Sequence, residues 1–132
     1  MIFSEPELTE TDYQALVKKT FGEYRAHVRH QIIVATDQDQ VAAVINYFRY
    51  GVDTLYLHYC WFAQDYKSPR RRRDIWLKFF DYAKARRFAW LMGVIDSRNK
   101  PALIWALKTG FNISGTRQSP DKNLIIDILK EL

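Results

Sequence analysis

Apolar and polar positions change period several times along this chain, and each change marks an element. Tyr13, Leu16, Val17 and Phe21 recur at helical spacing. Thr9, followed by the acidic Asp12, supplies a capping start, with Ser4 as the alternative cap. The spacing predicts a first helix that ends near Gly22 or runs on to His30. Ile32, Ile33 and Val34 then open a strand. The polar run Asp37-Gln38-Asp39-Gln40 reads as a turn, and Val41 to Tyr50 as a second strand rich in Val, Ile, Tyr and Phe. Gly51-Val52-Asp53 turns the chain into a third strand, Thr54 to Phe62. Strict alternation puts Leu55, Leu57, Tyr59 and Trp61 on one side of it, and Tyr56, His58, Cys60 and Phe62 on the other. Both sides are apolar enough for a central strand covered on two faces.

The period then lengthens. Ile75, Trp76, Phe79, Phe80, Tyr82 and Ala83 fall at helical spacing with Lys78, Asp81, Lys84 and Arg86 opposite, the strongest amphipathic pattern in the chain. Phe88 to Ile95 reads as a buried strand interrupted by Gly93. Asn99 to Thr109 reads as a short helix, with Pro101 in its first turn and Gly110 stopping it. Phe111 to Gly115 and Leu124 to Leu129 are strands around the turn Ser119-Pro120-Asp121-Lys122. The order is helix, three strands, helix, strand, helix, two strands. It predicts an α/β (α+β) fold: a central, mostly antiparallel mixed sheet flanked by helices. The strands either side of the Trp76 helix should run parallel through a right-handed crossover.

Composition narrows the class. At 132 residues, 48% hydrophobic and 15% aromatic, residues 1–132 make one domain with a ring-rich core. No apolar run reaches membrane-spanning length, and the acidic N-terminus does not resemble a secretory signal, so a cytoplasmic location is the expectation. Cys60 is alone and His27, His30 and His58 are dispersed, which argues against a disulfide or a metal centre. The net charge of +5 is concentrated in Lys67, Arg70, Arg71, Arg72, Arg73, Lys78, Lys84, Arg86 and Arg87. Such a cluster suits a phosphate-bearing cofactor, an acidic protein or nucleic acid, and also serves as a solvated face. No nucleic-acid motif accompanies it, and Tyr66 and Trp76 read as core rather than stacking groups.

The run Asn99-Lys100-Pro101-Ala102-Leu103-Ile104-Trp105-Ala106-Leu107-Lys108-Thr109-Gly110-Phe111 resembles the late motif of the GNAT superfamily of N-acetyltransferases. Asn99, Ala102, Lys108, Gly110 and Phe111 fall in register, directly after a hydrophobic strand. The resemblance covers about Ile32 to the C-terminus, and one of the family's two early helices is reduced. It implies a GNAT-like acyl-CoA N-acyltransferase fold in which the Thr54–Phe62 and Phe88–Ile95 strands splay apart. It also implies acetyl-CoA as cofactor and an amine as acceptor. Trp61, Phe62, Lys67, Arg70, Arg71, Arg72, Arg73 and Asn99 are the cofactor-facing residues it suggests. The family holds the cofactor pyrophosphate at a helix N-terminus through a glycine-bearing loop. Here the matching stretch is Lys67-Ser68-Pro69-Arg70-Arg71-Arg72, with arginines at both glycine positions and one amide donor lost to Pro69.

Chemistry departs further. GNAT enzymes commonly place a glutamate on the strand that here carries His58, which makes His58 the candidate base. The usual thiolate-protonating tyrosine falls at Ala106. Cys60 lacks any surrounding nucleophile pattern and reads as packing. With acid, base and loop all altered, two readings stand: an acetyl-CoA-dependent N-acetyltransferase of reduced form, and a non-catalytic GNAT-fold binding or assembly module. The second resembles short, motif-degenerate members, some from bacteriophages, and would use the Arg70–Arg73 cluster toward a protein partner or a second copy.

Overall fold

The computed structural model describes residues 1–21 and 31–132. Its elements are β1 (Ile2–Ser4), α1 (Glu10–Phe21), β2 (Gln31–Asp37), β3 (Gln40–Tyr50), β4 (Thr54–Phe62), α2 (Pro69–Ala85), β5 (Trp90–Asp96), α3 (Lys100–Lys108), β6 (Asn112–Gln118) and β7 (Leu124–Glu131). The strands form one sheet in the order β1-β2-β3-β4-β5-β7-β6. Every neighbouring pair is antiparallel except β4 and β5, which run parallel. The run-on of the first helix toward His30, and the residues His27 and His30, lie outside the described residues.

The helices divide by face. Trp76, Phe79, Phe80 and Ala83 of α2 and Ala106 of α3 share one cluster with Ile33, Ile45, Tyr47, Leu55, Leu91, Ile126 and Ile128 of the sheet. Burying side chains of this size contributes about 1.5–3 kcal/mol each, so this face carries most of the hydrophobic stabilisation. On the opposite face Tyr13 and Leu16 of α1 cover Ile32, Val44 and Trp61.

Local chemistry fixes the element ends. Thr9 caps α1 through its hydroxyl, which accepts from the Asp12 amide at 3.1 Å. Gln38 and Asp39 both take positive φ between β2 and β3, the geometry of a tight two-residue hairpin. Pro69 occupies the first turn of α2 and Ser68 is its N-cap. The helix therefore starts earlier than its amphipathic run, and Arg70 to Arg73 are helical rather than part of a loop. Gly110 ends α3 at φ 94°, where an L side chain is strained.

Two features depart from the sequence reading. The N-terminal segment forms an edge strand: Phe3 packs on Phe79 and Tyr82. Beyond it Glu5 accepts a hydrogen bond from the buried Tyr47 hydroxyl and pairs with Arg86 at 2.9 Å. Ser4 thus belongs to a strand and caps no helix. The second departure is in β4. Asn46 opposes Tyr59 while the next residue of β3, Tyr47, opposes Leu57, so His58 is the extra residue of a β-bulge. Alternation breaks there. Leu55, Leu57, Cys60 and Phe62 pack toward α2, whereas Trp61 packs toward α1.

Candidate functional site

The parallel pair β4–β5 is short. It registers only Thr54–Tyr56 against Trp90–Met92, after which β4 continues through the bulge and the strands separate. The expectation that these strands run parallel and splay is met. Because they are parallel, their C-terminal ends, and the starts of α2 and α3 that follow, lie at one end of the sheet. That end of a parallel pair is where an α/β fold exposes backbone and helix N-termini to a ligand.

The ladder shows what β4 presents to the split. The Ala63 amide bonds the Ala42 carbonyl at 2.9 Å. Alternate residues of an antiparallel pair direct their N–H and C=O at the same partner, so Trp61 and Tyr59 spend theirs on β3. Phe62 and Cys60 direct theirs the other way, into the split. Their side chains go to the core: Phe62 stands edge-on to Trp76 at 6.2 Å. Of the two aromatic positions read as cofactor-facing, Phe62 borders the split through its backbone and Trp61 packs its ring under α1. Burial pushes the Cys60 thiol up, with the charge of Arg72 opposing. The thiol therefore stays neutral, and Arg72 lies close enough to β4 to be felt there.

At the mouth, the first turn of α2 has few backbone donors to offer. Pro69 has none, the Arg71 amide is taken by the Ser68 hydroxyl at 3.3 Å, and the Arg72 amide bonds the Ser68 carbonyl at 3.0 Å. The Arg70 amide is what remains. Guanidinium groups surround this turn. Arg71 is partly committed, donating to the Asp65 carbonyl at 3.0 Å and lying over the Tyr66 ring at 5.3 Å. Tyr66 in turn donates to Asp37 at 2.7 Å, tying this corner to the β2–β3 hairpin. Arg70, Arg72 and Arg73 are exposed, as is Lys67. At the start of α3, Asn99 uses its side chain as the helix cap, accepting from the Ala102 amide at 3.3 Å.

His58 sits at the bulge. Asn46, 3% exposed on β3, donates from Nδ2 to the Gln31 carbonyl at 3.3 Å and so turns its Oδ1 toward His58 Nδ1, 3.3 Å away. An amide oxygen only accepts, which places the imidazole proton on Nδ1 and the basic lone pair on Nε2. The adjacent Tyr59 ring lies 4.0 Å from the imidazole. Asn46 is the partner of His58 that sequence reading did not single out. Nothing in a strand of alternating apolar residues marks one polar position as an orienting partner, because the bulge decides who opposes it.

Ala106 packs into the core. It is fully buried beneath α3, while the neighbouring Trp105 lies tilted against Trp76 at 4.7 Å and against Phe111 at 5.3 Å. A ring at position 105 fills the space between α2 and α3 from the adjacent position. Among the described residues no group of three or more His, Cys, Asp or Glu side chains can hold a metal ion, and no helix is long and apolar enough to cross a membrane.

The sequence matches no protein-family model and no curated protein. Solved structures do match over nearly the whole chain. An aminoglycoside 6'-acetyltransferase type Ii superposes with a TM-score of 0.72 at 17% identity, covering 99% of this chain and 97% of that one. An IAA acetyltransferase from Bacillus cereus gives 0.69 at 14% identity, with 99% of each chain covered. A GNAT family acetyltransferase from Elizabethkingia anophelis with acetyl-CoA bound gives 0.70 at 12% identity, covering 99% of this chain and 97% of that one. The split pair of parallel strands is thus part of a known architecture, and this chain has the fold of the GNAT acetyltransferases.

Proposed function

We propose that this protein binds acetyl-CoA in the β4–β5 split and transfers the acetyl group to an amine. The observation that carries the reading is the split itself. Strand pairing ends at Tyr56 and Met92, beyond which the backbone groups of Cys60 and Phe62 have no strand opposite them. These groups suit an extended chain of amides. Arg70, Arg72 and Arg73 suit its phosphates, through side chains rather than a backbone cradle. The bound thioester supplies an activated acyl carbon. The chain's own part is to hold it and to take a proton from the attacking amine. His58 is the candidate for that proton, with Asn46 fixing its tautomer so that Nε2 is the basic atom.

No tyrosine serves as acid at position 106, so transfer is expected to be slow. Calorimetric titration with acetyl-CoA tests the binding half. A ligand at about 100 times its Kd adds about 2.7 kcal/mol of stability, which a melting curve reads directly. His58→Gln tests the chemistry. It should lower turnover about 10²–10⁴-fold and leave acetyl-CoA affinity unchanged. If acetyl-CoA binds and no amine is acetylated, the non-catalytic binding role replaces the enzymatic one. If acetyl-CoA does not bind, the cofactor reading fails.

A further inference from the structure

His58 follows the last paired residue of β4, Tyr56, by two positions, and Val94 follows the last paired residue of β5, Met92, by two on the other bank of the split. Contacts fix the face that each side chain takes. Val44 packs beneath α1, so alternation puts Asn46 and Phe48 of β3 on the α1 side of the sheet. His58 contacts Asn46, and the Tyr56 ring stacks on Phe48 at 4.5 Å, so both share that side. Leu91 and Ile95 of β5 and Ile126 and Ile128 of β7 belong to the core under α2 and α3. Met92, Val94 and Asp127 therefore face the α1 side as well.

An amine that gives its proton to His58 approaches from the side that His58 occupies, and much of what meets it there is apolar. Tyr56 and Met92 close the vertex of the split, Phe48 backs Tyr56, and Val94 is 40% exposed on the facing bank. The acid opposite Val94, Asp127, is answered by Arg117, whose Nε lies 3.5 Å from its Oδ1. Burial pushes the Tyr56 phenol up from its ordinary range, with Arg117 opposing and Asp127 adding to the rise, so the two charges offset each other at the vertex too. An ammonium group brought against this surface loses water and gains no unpaired carboxylate from these residues. An apolar or aromatic body instead buries area against rings and aliphatic chains.

We infer that the acceptor is a monoamine carried on an apolar or aromatic body, seated on Tyr56, Met92 and Val94 beside His58, and that polycationic amines are disfavoured there. The inference rests on the acyl-transfer reading and deepens it by naming the acceptor class.

With acetyl-CoA saturating, kcat/KM for phenethylamine should exceed that for spermidine about tenfold or more, the ratio that partial burial of an aromatic ring supplies. Val94→Asp places a carboxylate on the exposed bank. It should narrow that ratio about fivefold, lowering phenethylamine and raising spermidine, which a merely destabilised variant would not do. An unchanged ratio counts against the inference. A second measurement needs neither turnover nor the variant. With the two methionines ¹³C-methyl-labelled and coenzyme A present, the Met92 methyl resonance should move on adding phenethylamine and stay in place with spermidine. Spermidine used as well as phenethylamine, or a Met92 methyl that does not move while phenethylamine is acetylated, overturns the inference and leaves the acyl-transfer reading standing. A Met92 methyl that answers phenethylamine alone, in a protein that acetylates neither amine, upholds the surface and removes the catalysis. No response to either amine in both measurements overturns the inference, and acetyl-CoA titration then decides the cofactor reading separately.

Discussion

Restoring tyrosine at position 106 is the substitution that the sequence pattern invites, and the structure predicts that it damages the protein. Ala106 is 0% exposed. Its carbonyl accepts the Phe111 amide at 2.9 Å, so the backbone around it is fixed by the helix cap. Trp105, Trp76, Phe80 and Phe111 already form a continuous set of ring contacts between α3, α2 and the start of β6. Inserting a phenol into that packing forces side chains from their rotamers, at about 1–3 kcal/mol or more. A buried hydroxyl without a partner adds about 1–3 kcal/mol. The sum, about 2–6 kcal/mol, is a large share of the roughly 5–15 kcal/mol that stabilises a domain. For a chain of this length it corresponds to a fall in Tm on the order of 10–20 °C. Urea unfolding followed by both tryptophan fluorescence and far-UV circular dichroism measures it, and coincident transitions license the two-state value. Turnover at a temperature where the variant is folded should not rise. A variant as stable as the wild type that acetylates an amine faster would show that the side chain reaches the split, and would refute the packing argument.

Other substitutions probe other parts. Glu5→Ala should cost about 1–3 kcal/mol in urea unfolding, mainly because the buried Tyr47 hydroxyl loses its acceptor. Arg86→Ala should cost under about 1 kcal/mol, since its pair with Glu5 is half-exposed; equal costs would sink the assignment. Replacing Arg70, Arg72 and Arg73 together with alanine should weaken acetyl-CoA binding and flatten its salt dependence, whereas Arg71→Ala, whose guanidinium serves Asp65 and Tyr66, should do less. The Asp96 carboxyl is held down at about 2 by side-chain and backbone hydrogen bonds from Arg98. A depressed carboxyl contributes its stability above its ordinary value near 3.9 and loses it as pH falls through the folded value, so this contribution disappears between about pH 4 and 2. Carboxyl NMR titration should give an Asp96 midpoint that returns to the ordinary range in Arg98→Ala; an unmoved midpoint would rule out Arg98 as the cause.

The fold was largely legible because its signals are local. The Thr54–Phe62 strand is bounded by a glycine turn and ends where the apolar run ends. Gly110 stops α3 at a positive φ that its sequence context announces. The Trp76 helix declares its buried face through spacing alone. What stayed hidden depends on distant partners. The strand Ile2–Ser4 is three residues long, too short for a pattern, and is held by Phe79, Tyr82 and Tyr47 from later elements. The Pro69 ring reads as an obstacle to a phosphate loop, yet it starts α2 nearly two turns before the amphipathic run begins at Ile75. The orienting role of Asn46 requires knowing which residue of β4 lies opposite it.

The bulge at His58 accounts for most of what separates the site from an ordinary parallel sheet. Without the extra residue, alternation from Leu57 would carry Tyr59 and Trp61 beneath α2, and would turn Cys60 and Phe62 toward α1. Inserting it exchanges the two sets. Phe62 can then pack on Trp76 in the core, and Trp61 can pack beneath Tyr13 and Leu16. A bulged strand also bends and twists more strongly, and here β4 leaves β5 immediately before the bulge. The same residue brings an imidazole within reach of an amide oxygen that a regular ladder would leave opposite Tyr59 alone. One inserted position therefore coincides with the opening of the split, exchanges the faces of the residues after it and sets His58 beside Asn46. The exposed arginines of the first turn of α2 place positive charge, from side chains, where Pro69 and the Ser68 cap leave few backbone donors.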